Sequence, residues 1–119
     1  MGKLLVILCE TPFQSENVDH AIHIVEKALE KGHRASIFLF MDGVYNMIRT
    51  QNGRHFNLET VSSRLQGLVA RGAKITCCRL CKELRGLNDE MTIEGITTTG
   101  IGELNNEIGE ADVVLSFTG

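Results

Sequence analysis

Three of the four cysteines fall within five positions, 77-CCRLC-81, at the junction of an apolar run and a basic one. A thiolate is the nucleophilic and metal-binding form of cysteine, so the question is what surrounds these sulfurs. Cys78 stands where a strand ends and a helical stretch, RLCKELR, begins. Unpaired N–H groups and the positive end of the dipole at a helix start favour thiolate there. Arg79, Lys82 and Arg85 add positive charge within the same turns. This is the setting of a nucleophilic cysteine with a lowered pKa.

Cys78 and Cys81 also form a CxxC, whose i and i+3 thiols meet across one helical turn. That spacing fits a dithiol/disulfide couple or half of a zinc site. No second CxxC and no HxxxH supplies the other two ligands, so no metal is expected. His20 and His23 read as solvated helix-face residues, and Cys9, inside an apolar run, reads as core packing. Neither DGVYN nor TGIGEL carries a full nucleotide fingerprint. Their glycines, Gly43 and Gly100, are assigned to turns needing positive φ.

The elements that must position these groups follow from periodicity. KLLVILC (3–9) and RASIFLF (34–40) are uninterrupted apolar runs, the pattern of parallel strands buried on both faces. Between them Val18, Ile22, Val25 and Leu29 form one helical stripe over about 15–31, closed by Gly32. MDGVYN opens a short helical segment. A helix over about 58–70 closes at Gly72, a strand spans about 73–77, and a looser, threonine-rich stretch follows Gly86. A helix over about 103–109 and a strand, DVVLSF, complete the chain. Alternating strands and helices predict a single α/β domain over 1–119, with a mostly parallel sheet and helices on both faces. Sites in such folds lie at the carboxyl ends of the strands. The loops at 10–15 and 41–46 and the cysteine cluster converge there, which makes Asp42, Tyr45 and Asn46 candidate substrate-binding residues beside Arg79, Lys82 and Arg85.

Composition excludes other classes. The chain of 119 residues is 43% hydrophobic and carries a net charge of -3 with both signs interspersed, so no basic face is offered to nucleic acid. Six aromatics, none of them Trp, make a poor base-stacking platform. The apolar N-terminal run is too short for a membrane span and lacks the pattern of a signal peptide. Crowded cysteines are poor disulfide staples, so a reducing, cytoplasmic compartment is expected.

A proline-containing loop after the first strand, 30-EKGH-33, 37-IFLFMDGVYN-46, 78-CRLCKELRG-86 and 99-TGIGELNNEIGEADVVLSF-117 follow one another along the chain. In that order these patches resemble the DsrE/DsrF-like family of sulfur-relay proteins, TusD-like members among them. The resemblance implies a Rossmann-like sheet topology, assembly into homo- or hetero-oligomeric trimers or hexamers, and no metal or organic cofactor. It maps the family's sulfur-accepting cysteine onto Cys78, counted back from Gly86. That thiol would take sulfane sulfur from a donor protein as a persulfide and pass it to an acceptor protein's cysteine. Where the family has small residues after this cysteine, the chain has Arg79 to Leu84. The extra Cys81 stands where a resolving thiol would release sulfur from Cys78 by forming a disulfide.

Overall fold

A computed structural model describes residues 2–118. The strands are β1 (Lys3–Leu8), β2 (Arg34–Leu39), β3 (Lys74–Cys78), β4 (Ile96–Thr99) and β5 (Val113–Phe117). The helices are α1 (Asn17–Glu30), α2 (Val61–Ala70), α3 (Arg79–Leu84) and α4 (Ile101–Glu110). All five strands run parallel, in the order β4-β3-β2-β1-β5. β2 is buried from Ala35 to Leu39, as its continuous apolar run requires of a central strand covered on both faces.

The steps from β1 to β4 all move one way across the sheet, so right-handed crossovers put α1 and α2 on one face. Arg64 of α2 bridges to Asp19 (2.6 Å) and Glu26 (3.7 Å) of α1, tying the pair together. Val18, Ala21, Ile22 and Val25 form the buried stripe of α1, and each such valine or isoleucine contributes about 1.5–3 kcal/mol. The β4-to-β5 step reverses direction and carries α4 to the other face. There Glu103 and Glu107 of α4 reach Lys74 of β3 at 3.2 and 3.1 Å. β3 and β4 therefore flank the switch point of the sheet at their carboxyl ends.

Several expectations need correction. The threonine-rich stretch after Gly86 contains β4, an edge strand paired along its length to β3. α2 starts three residues later than expected, where Thr60 caps it by accepting from the Ser63 amide at 3.2 Å. Cys9 lies one residue beyond β1 and is half-buried rather than core. Gly32 and Gly72 do close their helices with φ of 83° and 103°, but Gly43 and Gly100 do not adopt positive φ. Gly43 is required by proximity. A Cβ there would sit 1.8 Å from the Leu8 carbonyl oxygen, so only glycine lets the segment Met41–Met47, a 3₁₀ helix, lie against the end of β1.

Candidate functional site

Cys78 ends β3 and caps α3. Its backbone is extended (φ -76°, ψ 121°) and its Sγ accepts from the Cys81 amide at 3.5 Å. That amide is one of the four at a helix start with no intrahelical partner, which is why a cap forms there. Side chains alternate across a strand, so Cys78 shares with Lys74 and Thr76 the face that α4 covers. Cys77 points to the other face, where its Sγ lies 3.5 Å from Thr98 Oγ1. The two neighbouring cysteines thus belong to different sides of the sheet. Cys78 is 1% exposed and Cys81 is 5% exposed, so both thiols are enclosed in the isolated chain.

Cys81 Sγ accepts a hydrogen bond from the Met41 amide at 3.3 Å. Met41 has φ of 52°, an uncommon conformation for a side-chain-bearing residue, and it turns its N–H onto the sulfur. Burial pushes the Cys81 thiol up from its ordinary value, and contact with the Cys78 thiol adds to this. The Met41 N–H and the Arg85 charge oppose the rise. Burial likewise raises Cys77, against the pull of the Thr98 hydrogen bond and the Lys82 charge. Cys9 is raised first by burial, then by Cys81, Glu10 and Asp42.

The three basic residues grouped in sequence separate in space. Arg79 projects outward and pairs with Glu83 at 3.3 Å, both 62% exposed. Lys82 is buried on the Cys77 side, where its Nζ meets Asp89 and donates to Thr98 Oγ1 at 3.2 Å. Arg85 donates from Nε to Asp42 Oδ1 at 2.9 Å and from Nη1 to the Cys81 carbonyl at 3.3 Å. Each of these three cations has an acidic partner, and the polar contact given to the Cys78 sulfur is the Cys81 amide.

Asp42 therefore reaches the site through Arg85, and Tyr45 stands half-buried in the same 3₁₀ segment. Asn46 also ties two loops together. It is fully buried, and its Nδ2 donates to the carbonyls of Glu10 (2.7 Å) and Gly43 (2.9 Å), tying the loop after β1 to that segment. Its Nδ2 is engaged by the main chain, while its Oδ1 is buried without a hydrogen-bond partner. A groove of about 650 Å³ is lined by Arg49, Gln51, Ser63, Asp89 and Glu90 among others, and none of the thiols lines it.

Residues 2–117 match the DsrE/DsrF-like family. The chain belongs to that family. A family relative from Methanopyrus kandleri, an uncharacterised protein, is 30% identical over 114 residues, covering 96% of this chain and 93% of its own. Protein YchN of Escherichia coli is 26% identical over 120 residues. The crystal structure of YchN superposes with a TM-score of 0.84 over 98% of this chain and 100% of its own. A protein of unknown function from Methanobacterium thermoautotrophicum, 15% identical, shares the fold with a TM-score of 0.77.

Sequence reasoning gave Cys9 to core packing and placed Met41 and Thr98 near the site without a role of their own. Cys9 was hidden by the apolar run before it. Nothing in the type of Met41 signals an amide turned towards a sulfur, and Thr98 acquires its place through the pairing of β4 with β3.

Proposed function

We propose that this chain is a sulfur carrier of the DsrE/DsrF-like family, taking sulfane sulfur as a persulfide on Cys78 and passing it to a partner thiol. The observation that carries this reading is the placement of Cys78 at the carboxyl end of β3, with its sulfur held by the N3 amide of α3. A perthiolate formed there extends from the same sulfur and meets the same N–H, a charge-assisted hydrogen bond that stabilises the anion. Enclosure at 1% exposure protects a reactive sulfur from solvent. Transfer is thiolate attack on a sulfur atom with a thiolate leaving, and it needs no metal or organic cofactor.

Partners supply and remove the sulfur. Leu80 and Leu84, 60% and 75% exposed and four residues apart on α3, support docking of a partner beside the thiols. Val113 and Val114 on the edge strand β5 and Ile101 and Ile108 on α4 are also exposed, which supports assembly into a trimer or hexamer. Among the described residues no helix is long and apolar enough to cross a membrane.

The test is incubation of wild type and Cys78→Ser with inorganic polysulfide, followed by cyanolysis to count labile sulfur. The expected result is labile sulfur on the wild type and its loss in the variant. Full retention in Cys78→Ser contradicts the reading. The Cys81 amide donating to Cys78 Sγ at 3.5 Å keeps these two buried cysteines within one helical turn, which favours one second reading, a dithiol/disulfide couple. It is distinguished by a reversible two-thiol redox titration that proceeds without any sulfane sulfur.

A further inference from the structure

The enclosure of Cys78 and Cys81 raises the matter of how a sulfur atom reaches them. Of the four thiols only Cys9 is half-buried; the other three are buried. Its position follows from the ladders. Leu8 pairs with Leu39, and Leu39 with Cys77. Both ladders of β1 continue past its end, because Phe40 N–H donates to the Leu8 carbonyl at 3.0 Å and Cys9 N–H to that of Phe117 at 2.9 Å. Cys9, Phe40 and Cys78 therefore lie in one row across three adjacent strands. Residues in one row of a parallel sheet share a face.

Cys9 and Cys78 are two strand spacings apart, about 9.6 Å, with the Phe40 side chain between them. That exceeds the Cα separation of about 4.4–6.8 Å at which two cysteine sulfurs meet. Cys81 bridges the gap: its Sγ lies 3.3 Å from the Met41 amide, and the Phe40–Met41 peptide is one strand spacing, about 4.8 Å, from Cys9. Gly43 brings that segment so close that a Cβ on it would be 3.3 Å from the Cys9 Cα. After burial, a thiolate on Cys81 is the strongest influence raising the Cys9 thiol, ahead of Glu10.

We infer that Cys9 is the entry thiol of a three-cysteine relay, taking sulfane sulfur from a persulfide outside and handing it through Cys81 to Cys78. This rests on the sulfur-carrier reading above. In the first step the Cys9 thiolate attacks the terminal sulfur of a donor R–S–SH. The donor S–S bond breaks, R–S⁻ leaves, and Cys9–S–SH forms. The Cys81 thiolate then attacks that terminal sulfur, Cys9 leaves as thiolate and takes up the proton Cys81 has lost, and the same exchange passes the sulfur to Cys78. One S–S bond forms and one breaks at each step, so no oxidant or reductant is consumed. A persulfide also lengthens the donor side chain by about 2 Å, which shortens each jump.

The experiment uses the full chain, glutathione persulfide as donor, and rapid quenching with peptide mapping of the added sulfur. In Cys9→Ser, loading of Cys78 is expected to slow at least tenfold. In Cys81→Ser, which keeps the entry thiol, sulfur is expected to accumulate on Cys9 and not to reach Cys78. Loading of Cys78 at the wild-type rate in Cys9→Ser, or its prompt appearance on Cys78 in Cys81→Ser, overturns the relay and leaves the carrier reading standing. Absence of sulfur from every cysteine of the wild type overturns the carrier reading itself, and the relay with it.

Discussion

At the scale of single residues, the site is four sulfurs in four different environments. Cys78 caps a helix, Cys81 faces a backbone amide, Cys77 faces Thr98 on the neighbouring strand, and Cys9 is half-buried. The type and spacing of the CxxC were legible from the sequence, and so was the strand-to-helix junction at Cys78. Cys9 was not, because an apolar run extending through a cysteine gives no sign of where the strand stops. The ion pairs were equally hidden, since Lys82 and Arg85 find Asp89 and Asp42 through folding and not through helical spacing.

A pH dependence belongs to this scale. Cys81 is raised above the ordinary thiol value of 9.0, so the fold favours its protonated form. The corresponding stability is fully present below the unfolded value and is lost as pH rises through the higher folded value. Alkylation of Cys81 by iodoacetamide, followed by peptide mapping, should reach half of its limiting rate above pH 9.0. A midpoint near neutrality would contradict the enclosed geometry.

At the scale of elements, the β3–α3 junction and the segment Met41–Met47 set the geometry. Because Cys78 is the N-cap of α3, serine keeps the cap and alanine removes it. Cys78→Ala should be less stable than Cys78→Ser by about 0.5–1 kcal/mol in urea titration, the worth of a side-chain cap. Equal stabilities would mean that the sulfur's hydrogen bond holds nothing. Gly43→Ala should cost about 2–3 kcal/mol, since its Cβ meets the Leu8 carbonyl at 1.8 Å and backbone must move. A neutral effect on the urea midpoint contradicts that close approach. β1, β2 and α1 could be read from periodicity because burial alone decides them. β4 could not: ITTT on the sheet edge is only partly buried and carries no apolar alternation. Its partner β3 organises it.

At the scale of the whole molecule, the α/β class and the parallel sheet followed from the alternation of strand and helix patterns. The reversal between β4 and β5, which brings α4 and its Glu107 onto the face of Cys78, depends on the strand that periodicity missed. Assembly is the prediction at this level. Light scattering on the eluting species should give a threefold or sixfold multiple of 13.2 kDa. A monomer contradicts the role given to the exposed residues Ile101, Ile108, Val113 and Val114.

The central claim is that Cys78 holds the transferred sulfur. Tandem mass spectrometry of wild-type protein after brief polysulfide loading, with free thiols capped, locates the extra sulfur atom directly. One added sulfur on Cys78 is expected at steady state. Extra sulfur distributed evenly over all four cysteines, or confined to Cys77, would contradict it.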